Sequence, residues 1–386
     1  MKILIIDTSS SRLLLRLIVV HVLGTLFAYT IYISLSSLGD GYQPEYYEAT
    51  KLLYNNDSIN STMLVFGVYF VLGAVFPGFL APMFLGIVVA ALTWYAFRDV
   101  YPHSDRKLFW ACNLLPHFLV WSGSSSKEQI VIIAGIVVID FAAKRLFTAS
   151  KLTVGFIFVI VALWFIFIVR PNYFVIYLMV FLTSLFSPLL HKTITKRLSV
   201  GVWVLAFILA IIGGTFILSL DATFFSEDVV TFMKYVENSF LAYETASSNR
   251  TYIQWNDISD FVYHSLWGIP QGFIGPTLFE AISKPLHAPA FLEGLVCLSL
   301  MSYLFVKLLQ LARASRALRM HILPYMFVGF VIIFVSYPYL IFNPGSALRY
   351  KQAMHPILIF YPLLILAYNR ANHLMKTNIK KIPDAY

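Results

Sequence analysis

The stretch Asn343-Pro344-Gly345-Ser346-Ala347-Leu348-Arg349-Tyr350-Lys351-Gln352-Ala353-Met354-His355-Pro356 is a short polar island between two long apolar runs, about 320–342 and 353–369. Runs of roughly 18 to 23 apolar residues are what a helix needs to cross a bilayer. The island therefore reads as a loop between two membrane spans, and the same alternation recurs outward along the chain. Further apolar runs lie at about 17–35, 79–97, 108–122, 129–143, 152–169, 172–189, 199–219 and 290–308. Composition agrees: 59% of the 386 residues are hydrophobic, only 12% are charged, and the mean hydropathy is +0.76. Soluble domains carry about twice that share of charge, so a soluble fold is excluded. The expectation is an all-α polytopic membrane protein with about ten transmembrane helices, forming a single membrane domain over 1–386.

Charge placement fixes the orientation expected for these spans. The net charge of +9 comes from short basic clusters between apolar runs, which is topological patterning rather than a nucleic-acid surface. With ten spans, 20 of the 28 lysines and arginines fall on the side that holds both termini, which the positive-inside bias makes cytoplasmic. Lys2, Arg12 and Arg16 precede the first run, and no small-x-small cleavage site follows it, so it reads as an uncleaved span. Two apolar stretches, 63–76 and 264–283, are kept as interfacial or re-entrant segments of the outer face. The first is short and ends at Phe76-Pro77-Gly78; the second contains Pro270, Pro276 and three glycines, which predict a broken helix. The outer face is then expected to carry a first loop at 36–78, a tight turn at 122–128, a turn at Arg170-Pro171-Asn172, a large loop at 220–289 and the 343–352 loop. Cys112 and Cys297 lie inside apolar segments, which excludes a disulfide framework, and the nine histidines show no metal-ligand spacing.

Three outer islands hold the candidate chemistry. Asp40 sits between Gly39 and Gly41 just after the first span. The glycines permit a sharp turn and close ligand approach, and a carboxylate there can accept a hydroxyl proton as a general base; a solvated turn is the plain alternative. Lys127 and Glu128 open the fourth span behind Ser124, Ser125 and Ser126, a pattern that a capped helix start also explains. Arg349, Tyr350 and Lys351 are either interfacial anchors or a phosphate site, and Arg170 at another outer span end invites the same choice. Asp140, near the other end of a span, has Lys144 one turn on and reads as a local ion pair.

Taken together, Gly39-Asp40 with Tyr46-Tyr47, Pro116 with Trp121 through Glu128, Ile269 through Pro276 with Glu293-Gly294, and Gly345 through Lys351 with Pro356 resemble the GT-C superfamily. These integral-membrane glycosyltransferases use polyprenyl-phosphate sugar donors on the non-cytoplasmic face, and the likeness is greatest to bacterial polysaccharide-cluster proteins. The resemblance implies Asp40 as catalytic base, Glu128 as its assistant, and Arg349 as phosphate ligand, aided by Lys351, Tyr350, Arg170 or Lys127. It implies a polyprenyl-linked donor, a glycan or lipid acceptor, inverting transfer and a bacterial inner-membrane location. No cofactor is implied, and with no Asp-x-Asp motif in either loop a divalent metal has nothing behind it. An O-antigen or capsule polymerase shares this chemistry. A lipid-linked-sugar flippase would place charge through the depth of the spans, and a non-catalytic scaffold would tolerate loss of Asp40 or Arg349.

Overall fold

A computed structural model describes residues 8–34, 61–76, 78–148, 155–192, 201–209, 211, 233–234, 236–238, 250 and 253–379. Asp40, with the rest of 36–60, and most of 220–249 lie outside the described residues. Among those described, all regular structure is helical. Four helices are long and apolar enough to cross a membrane: residues 10–30 of α1 (Thr8–Ser34), α3 (Leu80–Phe97), α11 (Ala288–Ala314) and α12 (Arg316–Ser336). Gly155–Val169 and Pro171–Leu185 are apolar but shorter. Among the described residues, four helices rather than about ten meet the requirement by length and composition.

The chain divides into two compact units, one of residues 1–170 and 355–386, the other of 171–354. In the first unit α1 packs on α3, and α2 (Ser61–Val75) lies against α3 and α7 (Gly155–Val169). The span expected at 108–122 is instead two short helices, α4 (Arg106–Asn113) and α5 (Pro116–Ser122). Pro116 has no N–H to continue α4, and Leu115 before it is extended, as a residue preceding proline prefers. The amide of Asn113 turns back to the Phe109 carbonyl at 2.8 Å. α6 (Lys127–Thr148) packs on α3, on α7 and on α15 (Tyr361–Ile379). Within it Lys144 donates to Asp140 at 2.9 Å, the local pair that the spacing anticipates.

In the second unit α8 (Pro171–Lys192) packs on α12, and α12 on α11. The 264–283 stretch does not break where prolines and glycines suggested. α9 (Ile258–Ile274) runs through Pro270 and ends only at Gly275, whose φ of +93° favours glycine. Gly268 and Gly272 are contact points: a Cβ on either would stand 2.8 Å from Tyr337 or Leu340. They let α9 approach α13 (Pro338–Ile341) closely, as small residues do between apolar helices. α10 (Leu278–Ser283) follows, with Thr277 and Glu280 forming a reciprocal capping box.

The 343–352 island is also a helix, not a loop. α14 (Pro344–His355) opens with Asn343, whose side-chain oxygen accepts from Gly345 N at 2.7 Å, and Pro344 takes the first position, where no N–H is needed. A π-helical turn, Pro356–Phe360, then leads into α15. Pro356 cannot donate to the preceding turn, and the wider turn takes up that loss.

Candidate functional site

In the first unit the serine turn expected at a membrane surface is buried. Ser122, Ser124, Ser126, Glu128 and Gln129 all lie in the interior. Apart from the Ser124 hydroxyl, which has no hydrogen-bond partner among the described residues, their side chains are met by one another and by neighbouring helices, as buried polar groups require. Gln129 is the hub. Its Nε2 donates to Pro82 O at 3.0 Å and Ser122 O at 2.5 Å, and its Oε1 accepts from the Tyr69 hydroxyl. Tyr69 in turn accepts from Ser126 N at 3.1 Å, and Ser126 Oγ accepts from Gln129 N at 3.2 Å. The hydroxyl of Ser122 lies 3.1 Å from Leu119 O and 2.9 Å from His21 Nδ1, joining α1 to the turn. Gly123 lets α1 come in this close: a Cβ there would meet Thr25 Oγ1 at 2.4 Å and Thr25 Cα at 2.8 Å.

This frame fixes the start of α6 and with it Glu128, which is 1% exposed and ion-paired with Arg170 at the end of α7. Arg170 N–H closes α7 on Ile166 O at 2.8 Å. Two residues singled out separately in the sequence are thus one ion pair, Glu128 buried and Arg170 half-buried. Held by a guanidinium, Glu128 is placed to orient Arg170. Lys127, its neighbour, is half-buried.

In the second unit the three residues expected to act together separate. Arg349 and Tyr350 are half-buried, with the guanidinium carbon 5.1 Å from the Tyr350 ring centroid. Lys351 is buried and donates to Phe273 O at 3.0 Å, in the last turn of α9. A cation at a helix C-terminus satisfies an orphan carbonyl and the dipole there. A second cation, Arg250, meets the same helix end.

Arg250 falls within the stretch expected as the large outer loop, 220–289, yet it organises this unit. It is 2% exposed, and its guanidinium donates to both oxygens of Glu280 at 2.8 and 2.7 Å, to Ile341 O at 2.6 Å and to Gly275 O at 2.7 Å. Its backbone N–H reaches Phe342 O at 2.8 Å. Burial pushes the Glu280 carboxyl up, but the hydrogen bonds from Arg250 and Thr277 outweigh it, leaving Glu280 below the usual carboxylate range. One guanidinium therefore ties the ends of α9 and α13 to the capping box of α10. The sequence signal was weak: an arginine amid Ser247, Ser248 and Asn249 looks like solvated loop. Among the described residues no three His, Cys, Asp or Glu side chains gather as a metal site would need.

No family model, curated protein or solved structure matches this chain.

Proposed function

We propose that the chain is a membrane glycosyltransferase that moves a sugar from a polyprenyl-phosphate-type donor to a glycan or lipid acceptor on the outer face of a bacterial inner membrane. About ten membrane crossings with both termini in the cytoplasm complete this reading, the shorter helices crossing where the bilayer thins or where they pack among neighbours. The observation that carries the reading is the largely buried Glu128–Arg170 pair. Burying a guanidinium and a carboxylate in so apolar a chain is costly unless something uses them. Here the carboxylate fixes the cation in one orientation, the pre-organisation that stabilises charge on a departing phosphate. Arg349, half-buried beside Tyr350, is the phosphate ligand; Asp40 is the base for the acceptor hydroxyl. Lys351, spent on the end of α9, supports rather than binds. A repeat-unit polymerase is the same chemistry with a longer acceptor.

The test uses the full-length protein in nanodiscs, with polyprenyl phosphate as binding probe and a panel of polyprenyl-phosphate sugars as donors. Wild type should bind the probe saturably and release sugar from one donor. Arg349→Ala should weaken binding by about tenfold or more, the value of a charge-assisted hydrogen bond. Asp40→Asn should bind normally and turn over poorly. Equal binding by wild type and Arg349→Ala, or full turnover by Asp40→Asn, would remove the residues from these roles.

A further inference from the structure

The six-residue helix α10 has two unlike faces. Ala281 is buried and Glu280 is clamped by Arg250, whereas Leu278, Phe279 and Ile282 are 59%, 79% and 74% exposed. On the preceding helix α9, Tyr263 and Leu266 are exposed as well, Leu266 to 76%. This is not the fraying of a loose end. The capping box at Thr277, the bidentate Arg250–Glu280 pair and the contact of α10 with α11 hold the apolar face in place.

We infer that α10 is a membrane-surface foot, and that its occupant is the acyl-chain layer of the leaflet at the N-terminal end of α11. Three observations favour lipid as the occupant. First, the apolar run of α11 begins at about residue 290, almost at the helix start, so α10 just before it stands at headgroup level. Second, α11 beside it also presents apolar side chains outward. That helix packs directly on α10, and its own exposed apolar residues begin at Leu292, one turn in. Third, Lys284 lies between the two helices, where a cation complements anionic headgroups. A short helix with its apolar side in the acyl boundary and its polar side tied to protein is the arrangement of an interfacial anchor. The foot is independent of the transferase reading, because a transporter or scaffold of this architecture would need it equally.

A nitroxide on Phe279→Cys in full-length protein in nanodiscs of mixed neutral and anionic phospholipid tests this directly. Cys112 and Cys297 are buried and do not compete for the label. Asn256→Cys, exposed ahead of α9, serves as the aqueous reference. The expected result is a ratio of oxygen to nickel-chelate accessibility about tenfold higher at 279 than at 256, as for an apolar face seated in the acyl boundary. Ile282→Cys repeats the measurement on the same face should the first variant fold poorly. A nickel accessibility at 279 equal to that at 256 places the face in water and overturns the inference. A label shielded from both reagents places protein, such as a second copy, on the face and overturns it equally.

Discussion

Replacing Arg250 by methionine should destabilise the second unit by about 4 kcal/mol, a value assembled from its contacts. Methionine refills most of the volume, so the cavity contribution is small. Removing one partner of a buried ion pair costs about 3–5 kcal/mol, chiefly through the charge left behind, here Glu280 with a side chain only 19% exposed. The Ile341 carbonyl also loses its side-chain donor, worth about 1 kcal/mol. Gly275 O keeps a bond from Gln271 Nε2 at 2.8 Å, and the Arg250 N–H to Phe342 O survives the change. Some relaxation offsets the sum, hence the middle of the range. The assay is equilibrium denaturation in detergent micelles, followed by tryptophan fluorescence, together with a thermal scan in which Tm should fall by about 10 °C. Converting the orphaned acid as well, in the double variant Arg250→Met/Glu280→Gln, should recover about 2 kcal/mol relative to additivity. Were Arg250→Met within about 1 kcal/mol of wild type, or the double variant strictly additive, Arg250 could not be the tie described above.

The same pair predicts a pH dependence. Glu280 titrates below its unfolded value, so its contribution to stability is present above the unfolded carboxylate range and is lost as pH falls through the lowered folded value; Arg250→Met should flatten that slope in acid denaturation profiles. Gly294→Ala would put a Cβ 1.9 Å from Ile274 O and should cost more than about 3 kcal/mol or abolish folding, whereas Gly67→Ala, with open space around it inside a helix, should be neutral or gain up to about 1 kcal/mol; expression and melting of both variants decide. Gln129→Leu leaves Pro82 O, Ser122 O and the Tyr69 hydroxyl without their partner and should lower stability by about 3 kcal/mol, measurable by the same denaturation; an unchanged midpoint would mean the buried turn is not held by that side chain. Lys351→Met should lower stability while sparing polyprenyl-phosphate binding, and Arg349→Ala should do the reverse.

The class of the fold was legible because hydrophobic runs of span length leave few other solutions. What failed was the equation of polarity with exposure. The serine turn at 122–128 and the island at 343–352 were both read as surface loops, yet Ser122, Gln129 and Lys351 are buried with partners supplied by distant residues such as Tyr69, Pro82 and Phe273. Such pairings are long-range, and no local pattern announces them. The helical character of the island, by contrast, was written in Asn343-Pro344, a cap followed by a first-turn proline, and could have been seen. Glycine was misjudged in the opposite direction: Gly268 and Gly272 were taken as breakers in α9, where the absent side chain serves packing. Of the candidate site, Glu128 and Arg170 were found individually, but only tertiary structure joins them. Asp40 lies outside the described residues, so its part in the reading rests on the sequence.

The division of the chain carries a consequence for biogenesis. The first unit is opened at Arg170 and completed only from His355 onward, by a segment that stacks His355 on Phe118 at 4.0 Å and Tyr368 against Phe147. At roughly 5–20 residues per second, synthesis of the intervening 184 residues (171 through 354) takes about 10–40 s. Throughout that interval the ribosome-bound chain holds α1 to α7 without the strand of sequence that fills their remaining apolar surface. Until that segment is made, the surface of α6 that α15 covers is left to lipid or to the insertion machinery.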